Sequence, residues 1–184
     1  MLNKALFLDR DGVINHDPGY VYKIEDFHFI DGIFDLCRAA QELGFKLIVA
    51  TNQAGIGRGF FSEAEFAVLN DWMVRQFAAQ GVSISDVYYC PYHAEQGVGV
   101  YQQDSFDRKP YPGMLLKAAL AHRLSMPESI MLGDKDRDML AAYHAGVGRR
   151  WQYLHGEQEP VSGVATDTVK DLVEARGLVM GGRE

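Results

Sequence analysis

Short strand-like runs that alternate with helical segments are the feature that most constrains the fold of this chain. The runs occupy residues 5–8, 45–50, 86–90, 129–132 and 148–154. The first two are largely apolar at successive positions, which is typical of strands covered on both faces of a parallel sheet. Because crossovers between parallel strands are right-handed, the pattern predicts a doubly wound, Rossmann-like α/β domain with a central, mostly parallel sheet.

Apolar residues recur at helical spacing in the segments between these runs. A capping box formed by Ser62 and Glu65 opens one helix, which we predict to end before Gly81. Asp167 is the predicted cap of a last short helix, and residues 177–184 are expected to form a flexible tail. Further helices are predicted over residues 32–43, 114–124, 136–145 and 167–175.

The composition narrows the classes of protein to which the chain can belong. Its 184 residues, 47% of them apolar, most simply form one domain over residues 1–184. The net charge of −7 argues against nucleic-acid binding, which depends on Lys and Arg. No apolar run reaches the roughly 18 residues of a membrane span, and two cysteines are too few for a disulfide scaffold. We therefore expect a cytoplasmic protein with no nucleic-acid or membrane partner.

Two carboxylates directly follow the first predicted strand. Asp9 and Asp11 are separated by one residue, and Gly12 then allows the backbone to turn sharply. Either acid alone is typical of a turn or a helix cap. Two close carboxylates repel each other unless a cation or a shared proton compensates them, so the pair is equally compatible with a catalytic or metal site.

Polar groups also follow the second predicted strand. Thr51, Asn52 and Gln53 lead into a glycine-rich turn over residues 54–59. Their side chains, together with the backbone amides of the turn, suit phosphate oxygens. Glycine-rich turns are common, and the spacing of a Walker-type phosphate loop is absent. This signal is weak when it is taken alone.

Charged residues mark two further places on the same edge of the predicted sheet. Arg108 and Lys109 precede a helix, where a lysine adds to the positive end of the helix dipole, although such a pair is often simply solvated. Asp134 follows the fourth strand, and acids at this place suit a hard cation such as Mg²⁺. Asp136 and Asp138 are more simply explained as acids that complement the dipole of the next helix.

Five motifs occur in order between about residues 4 and 150. They are residues 9–15 (DRDGVIN), 51–59 (TNQAGIGRG), 90–93 (CPYH), 108–114 (RKPYPGM) and 133–138 (GDKDRD). In this order they resemble the motifs of the haloacid dehalogenase-like (HAD) phosphohydrolases, and within them the heptose 1,7-bisphosphate phosphatases and the related histidinol-phosphate phosphatases. The resemblance implies a HAD fold and Mg²⁺-dependent removal of the C7 phosphate of D-glycero-D-manno-heptose 1,7-bisphosphate, in the formation of nucleotide-activated heptose.

The resemblance also implies roles for individual residues. Asp9 matches the nucleophile that forms an aspartyl-phosphate, and Asp11 matches the general acid and base. Mg²⁺ is expected to be held by Asp9, by the backbone carbonyl of Asp11 and by Asp134, while Asp138 orients its neighbours. The positions that match phosphate- or substrate-binding residues are Asp17, Gly19, Tyr20, Thr51, Asn52, Gln53, Ala54, Arg108, Lys109 and Lys135.

Thr51, Asn52 and Lys109 match the positions that clamp the phosphoryl group in this family. The segments between the motifs are too short for a folded cap domain. Loops 10–31 and 91–111 are therefore expected to lie over the active site and exclude water in its place. The implied partner is a small sugar bisphosphate, bound by a monomer.

One part of the family pattern is missing. Relatives hold a structural zinc with cysteines and a histidine in the second loop, whereas this chain keeps only Cys90 and has Tyr92, Ser105 and Asp107 at the other positions. One ligand of four cannot close a tetrahedral site, so we expect no structural zinc. The loop over residues 92–107 is then either mobile or ordered by packing of Val98, Val100, Tyr101 and Phe106.

The sequence is also compatible with other functions. The same chemistry could act on histidinol phosphate or on another small phosphomonoester. A nucleic-acid 3′-phosphatase uses a similar core and an open site, but the acidic charge argues against it. A binding protein that has lost activity is disfavoured, because Asp9, Asp11, Lys109 and Asp134 are all present.

Overall fold

The computed structural model describes residues 2–156 and 160–181, and within them six strands form one sheet. The strands are β1 Lys4–Leu8, β2 Phe45–Asn52, β3 Ile84–Cys90, β4 Ile130–Gly133, β5 Arg149–Tyr153 and β6 Asp167–Val169. Their order across the sheet is β3-β2-β1-β4-β5-β6, and every neighbouring pair is parallel. This arrangement confirms the predicted doubly wound, Rossmann-like α/β fold.

Helices cover both faces of the sheet. In the described residues they are α1 Ile33–Glu42, the single turn α2 Ala54–Gly57, α3 Glu63–Ala79, α4 Gly113–His122, α5 Asp136–His144 and α6 Leu172–Val179. Buried residues of α1, α3 and α6 pack on one face, and those of α4 and α5 pack on the other. The capping box of Ser62 and Glu65 is present at the start of α3, as predicted.

The first strand shows why the central strands are apolar throughout. Leu6 and Leu8 pack under α1, α3 and α6, whereas Ala5 and Phe7 pack under α4 and α5. All four side chains are fully buried. Burying a leucine or phenylalanine side chain contributes roughly 1.5–3 kcal/mol, so both faces of β1 stabilise the fold.

The topology brings the ends of β1 and β4 together. Leu8 pairs with Val49 of β2 on one side and with Leu132 of β4 on the other. The strand order reverses at this point, and such switch points form a crevice at the carboxyl ends of the strands. Asp9 and Asp134 therefore emerge next to each other.

Several predicted boundaries are wrong. Asp167 lies in β6, a strand too short for its pattern to show in the sequence, and Asp171 caps α6 by accepting a hydrogen bond from the Glu174 backbone N–H. Helix α6 continues through Gly177 to the buried Val179, so the predicted tail began too early, and residues 182–184 lie outside the described part of the chain. None of the described helices has the length and apolar character that a membrane crossing requires.

Loops 10–31 and 91–111 contain no folded cap domain. The first holds one short 3₁₀ turn, Ile24–Asp26, and the second holds another, Gly99–Tyr101. The first loop is tied back by isolated bridges of Asn15 with Asp11 and with Phe29. The first loop follows β1 and the second follows β3, so both begin at the carboxyl edge of the sheet.

Candidate active site

Asp9, immediately after β1, is the most buried acid of the first motif. Its side chain is 5% exposed, and its Oδ1 accepts a hydrogen bond from the backbone N–H of Arg10 at 2.8 Å. Burial, with the neighbouring carboxylates of Asp138 and Asp134, raises the pKa of Asp9 to about 7 in the metal-free chain, although Lys109 opposes the shift. Asp9 is thus a carboxylate that a cation is needed to keep charged at neutral pH.

Lys109 supplies part of that positive charge from inside the core. Its ammonium lies 3.0 Å from Asp9 Oδ1 and 2.6 Å from Asp138 Oδ1, and it donates to the carbonyl of Ala50 at 2.7 Å. Burial lowers the pKa of Lys109, but the attraction of Asp138 and Asp9 outweighs it and the pKa is raised overall. Three oxygens therefore surround the ammonium.

Asp134, after β4, completes a cluster of acids beside Asp9. Ligand oxygens of Asp9, Asp134 and Asp138 all lie within 4.8 Å of one another. Oδ2 of Asp134 pairs with Lys135 at 2.9 Å, whereas its buried Oδ1 has no hydrogen-bond donor. Burial raises the pKa of Asp134. An orphaned oxygen among buried carboxylates fits a hard divalent cation such as Mg²⁺, which prefers oxygen ligands.

The close approach of Asp134 requires the glycine of the first motif. Gly12 has a φ of +87°, and a Cβ at this position would lie 2.4 Å from Asp134 Oδ2. A larger residue would therefore displace the carboxylate from the cluster. The sharp turn predicted for Gly12 serves this contact as well as the backbone conformation.

Asp138 does more than complement the dipole of α5. It is fully buried, its Oδ2 accepts from the backbone N–H of Lys135 at 3.0 Å, and its Oδ1 holds Lys109. Through these contacts Asp138 positions the Lys109 ammonium and the backbone at Lys135. Gly133 makes room for it, since a Cβ there would lie 2.3 Å from Asp138 Cβ.

Asp11 lies in a ring of hydrogen-bond donors. Its Oδ1 accepts from Arg10 Nη2 at 2.8 Å, Arg10 Nε at 3.1 Å and Asn15 Nδ2 at 3.0 Å. Its Oδ2 accepts from Gln53 Nε2 at 2.9 Å and from Arg10 Nη2 at 3.0 Å. The carboxylate is partly exposed and faces the pocket described next.

Two neighbouring pockets share this edge of the sheet. A pocket of about 320 Å³ contains most of the predicted substrate-binding positions, and a second of about 550 Å³ adjoins it at Asp17. The predicted residues that line the first are Asp9, Asp11, Asp17, Gly19, Tyr20, Thr51, Asn52, Gln53, Ala54 and Arg108. Asp134 and Lys135 line the second, together with His16, His28 and His155. Lys109, also predicted to bind substrate, is buried and lines neither pocket, and its ammonium contacts Asp9, which lines the first.

Asn52 lines the first pocket, where we expect it to clamp phosphate, and it also contacts the backbone of Lys109. Its Nδ2 donates to the carbonyl of Lys109 at 2.9 Å, and its Oδ1 accepts from the backbone N–H of Lys109 at 3.0 Å. The side chain therefore uses its amide to fix the backbone of Lys109. The hydroxyl of Thr51 accepts from Gln53 Nε2 at 3.0 Å, which orients both residues.

Two arginines that the sequence reasoning missed line the first pocket. Arg58, after α2, and Arg137, in the first turn of α5, join Arg108 there. Burial lowers the pKa of Arg108, and the positive charges of Arg137 and Arg58 lower it further. The glycine-rich motif contains Arg58 and the last motif contains Arg137, so both were visible but unassigned.

Of the four residues predicted to order the second loop, Tyr101 packs against the cluster of Ile56, Phe61 and Phe66. Val98, Val100 and Phe106 are 61–79% exposed, and of these Phe106 contacts the ring of Tyr111. Glu63 accepts hydrogen bonds from the hydroxyls of Tyr89 at 3.0 Å and Tyr101 at 2.7 Å. The Tyr101 ring contacts that of Tyr92, whose carbonyl accepts from Arg108. Cys90, the one remaining zinc-ligand position, is fully buried.

Comparisons with known proteins give close relatives over nearly the whole chain. The D-glycero-alpha-D-manno-heptose-1,7-bisphosphate 7-phosphatase of Burkholderia mallei is 49% identical over 171 residues, which cover 93% of this chain and 90% of the relative. The D-glycero-beta-D-manno-heptose-1,7-bisphosphate 7-phosphatase of Vibrio cholerae is 45% identical and covers 94% and 95%. The corresponding beta enzyme of Escherichia coli K12 is 48% identical and covers 93% and 92%.

Family models and solved structures agree with these relatives. The HAD-hydrolase-like family model matches residues 106–172. A protein described as a HAD-like phosphatase from Mesorhizobium loti has a TM-score of 0.87 and 34% identity, and covers all of this chain and 89% of its own. The D,D-heptose 1,7-bisphosphate phosphatase of B. bronchiseptica, complexed with magnesium and phosphate, has a TM-score of 0.83 and 26% identity, and covers 97% and 98%. The chain therefore belongs to the HAD-like hydrolases, in the family of the D-glycero-D-manno-heptose-1,7-bisphosphate 7-phosphatases.

Proposed function

We propose that this chain is a Mg²⁺-dependent phosphomonoester hydrolase that removes the C7 phosphate of D-glycero-D-manno-heptose 1,7-bisphosphate. The observation that carries the proposal is the position of Asp9, which lies close to Asp134, pairs with Lys109 and lines a pocket that also contains three arginines. A nucleophile, a cation site and a second anion-binding group are what hydrolysis of one phosphate of a bisphosphate requires.

In the proposed mechanism, hydrolysis proceeds through two successive displacements at phosphorus. In the first, a carboxylate oxygen of Asp9 attacks phosphorus, the bond to the sugar oxygen breaks, and Asp11 donates a proton to that oxygen. In the second, Asp11 takes a proton from water, whose oxygen attacks the aspartyl-phosphate and releases inorganic phosphate. Lys109 neutralises Asp9 and the transferring group, and Asn52 holds the backbone of Lys109 in place.

We propose that Mg²⁺ would be held by Asp9, Asp134 and the backbone carbonyl of Asp11. Its donors are hard oxygens, and Asp134 Oδ1 is buried without a protein donor. When bound, Mg²⁺ lets an anionic nucleophile approach an anionic phosphate and stabilises charge on the transferring oxygens. Asp138 stays outside this set because Lys109 and the Lys135 backbone occupy its two oxygens.

We expect the stabilisation of the folded chain by Mg²⁺ to grow with pH. The folded pKa of Asp9, about 7, lies above its ordinary value of 3.8. In the metal-free chain this group therefore contributes stability that is full below pH 3.8 and is lost as the pH rises through 7. Mg²⁺ binds the ionised carboxylate, so its binding strengthens across the same window. Thermal unfolding with and without Mg²⁺ should show a larger increase in Tm at pH 8 than at pH 5.5. Equal increases would contradict a metal site at Asp9.

We further propose that Arg58, Arg108 and Arg137 together hold the second phosphate of the substrate. Three guanidinium groups around one pocket attract an anion strongly and bind its oxygens by charge-assisted hydrogen bonds. We expect Arg137→Met to lower kcat/KM for the bisphosphate about tenfold and to change kcat/KM for heptose 7-phosphate by less than about twofold. Arg75→Met, which removes an exposed arginine of α3, is the matched control. Equal losses for both substrates would exclude a role in second-phosphate recognition.

The second loop is proposed to keep its shape without zinc. The thiol of Cys90 is hydrogen-bonded by the Tyr92 backbone and the Ser105 side chain, and burial raises its pKa, which disfavours the thiolate that zinc needs. Glu63 then fastens the loop through Tyr89 and Tyr101.

We expect Glu63→Gln to increase cleavage within residues 92–107 by limited proteolysis several-fold, because both hydrogen bonds lose their charged acceptor. Elemental analysis of the purified wild-type chain should find substoichiometric zinc. Stoichiometric zinc, or unchanged proteolysis of the variant, would contradict this account of the loop.

The activity itself is tested by phosphate release from a panel of substrates. The panel contains both anomers of heptose 1,7-bisphosphate, histidinol phosphate and fructose bisphosphate, each with Mg²⁺ and with EDTA. We expect the highest kcat/KM for a heptose bisphosphate and no turnover in EDTA. A higher value for histidinol phosphate would overturn the substrate assignment while leaving the chemistry in place. Phosphate release in EDTA would overturn the metal-dependent mechanism.

A further inference from the structure

Arg10 is a buried cation that the proposed mechanism leaves without a role. Arg10 lies between Asp9 and Asp11 in the sequence and is only 1% exposed. It does not line either pocket of the site. Arginine is rarely buried so completely unless it is paired, because removing its charge from water is unfavourable. Its contacts therefore indicate what it does.

The guanidinium of Arg10 is directed at one catalytic group. Nε and Nη2 both donate to Asp11 Oδ1, at 3.1 and 2.8 Å, and Nη2 also contacts Oδ2 at 3.0 Å. Nη2 donates in addition to the carbonyl of Val21, at 2.6 Å, in the loop over the site. These bonds tie the carboxylate of Asp11 to a fixed point of the protein.

Aromatic rings hold the guanidinium itself in place. Its central carbon lies 6.0 Å from the centroid of the Phe27 ring and 5.8 Å from that of the Phe66 ring. Nη1 is buried without a hydrogen-bond acceptor. An unsatisfied buried donor is destabilising, so stability alone does not account for an arginine at this position.

Asn15 and Gln53 donate to Asp11 as well, but they are neutral and each makes a single bond to it. Arg10 is the group that fixes the direction of the carboxylate, because its planar fork allows one orientation of the partner. A lysine would keep the charge and lose this control.

We propose that Arg10 is a positioning residue, which holds Asp11 where it can donate its proton to the departing sugar oxygen. The inference rests on the proposed function of Asp11 as the general acid. In that step the bond between phosphorus and the sugar oxygen breaks, and the proton of Asp11 moves to that oxygen while Asp9 becomes phosphorylated. Arg10 does not line the substrate pocket, and it acts through the carboxylate of Asp11.

The test compares leaving groups in the Arg10→Lys variant. A sugar alkoxide is a poor leaving group unless it is protonated, whereas p-nitrophenolate leaves readily without a proton. A misplaced general acid should therefore slow only the reaction of the sugar phosphate. In rapid-quench single turnovers we expect formation of the aspartyl-phosphate to slow about 100-fold with heptose bisphosphate and less than about fivefold with p-nitrophenyl phosphate. Arg10→Met should show the same difference in slowing between the two substrates. The control is Arg38→Lys, which alters a surface arginine paired with Asp35 and should slow neither reaction.

A double-mutant cycle separates positioning from general damage. Because Arg10 acts through Asp11, Arg10→Lys should cause no further slowing with heptose bisphosphate in an Asp11→Asn background. Equal slowing of both substrates, or an additive loss in the Asp11→Asn chain, would overturn the proposal. The substrate assignment is tested separately, because it is refuted if the wild-type chain leaves heptose bisphosphate intact. The leaving-group comparison then continues with glycerol phosphate in its place.

Discussion

Replacing Asp9 by Asn is expected to reduce kcat by at least about 10⁴-fold while the chain folds normally. The substitution removes the proposed nucleophile and keeps the size of the side chain. The amide oxygen can still accept from the Arg10 backbone N–H, which holds the wild-type carboxylate at 2.8 Å. Without a nucleophilic oxygen, no aspartyl-phosphate forms and the remaining binding groups only retain the substrate.

The stability of the Asp9→Asn chain should differ from that of most active-site variants. Asp138 and Asp134 repel the Asp9 carboxylate and contribute to its raised pKa, so a neutral side chain relieves that repulsion. We expect its metal-free Tm at pH 8 to equal or exceed the wild-type value. Steady-state kinetics, acid-quench detection of phosphorylated chain and thermal unfolding measure the three effects. Asp71→Asn, at an exposed position of α3, is the control, and turnover by Asp9→Asn at the wild-type rate would exclude Asp9 as the nucleophile.

Much of the fold and the chemistry at strand ends could be predicted from the sequence, because parallel topology places all carboxyl ends on one edge. Asp9 and Asp134 lie many residues apart along the chain, yet they meet because β1 and β4 are neighbours. Strand β6 was missed because three residues with one buried apolar side chain carry no detectable pattern. The start of α6 was misplaced because Asp167 and Asp171 are equally plausible helix caps in the sequence.

Partners within the site could not be predicted, because residue type does not specify which atoms meet. The sequence indicated Asn52 as a group that contacts phosphate, but it did not show that both ends of the amide also bind the backbone of Lys109. It indicated Asp138 as an acid that complements a helix dipole, but it did not show the ion pair with Lys109. Exposed apolar residues such as Val98 resemble packing residues in a sequence, whereas the loop is held by polar contacts to Glu63.

Replacing Lys109 by Met is expected to damage both stability and activity, unlike the change at Asp9. Lys109 is fully buried, and its ammonium separates the carboxylates of Asp9 and Asp138. Removing one partner of a buried ion pair typically costs about 3–5 kcal/mol, because the remaining charge stays desolvated and unpaired. We expect a loss of this size in the free energy of unfolding at pH 8, measured by urea denaturation. The loss should shrink at pH 5, where Asp9, with its pKa near 7, is already protonated.

The double variant Lys109→Met, Asp138→Asn shows whether charge is the cause. Neutralising Asp138 removes one of the two carboxylates that Lys109 compensates, so it should recover a substantial part of the lost stability. Activity should not recover, because the phosphoryl group still lacks its buried cation, and kcat should remain about 10²–10³-fold below the wild-type value. If the double variant were as unstable as Lys109→Met, the loss would come from packing of the lysine chain. If it regained full activity, Lys109 would act only as a structural counter-charge, and the phosphate clamp would have to lie elsewhere.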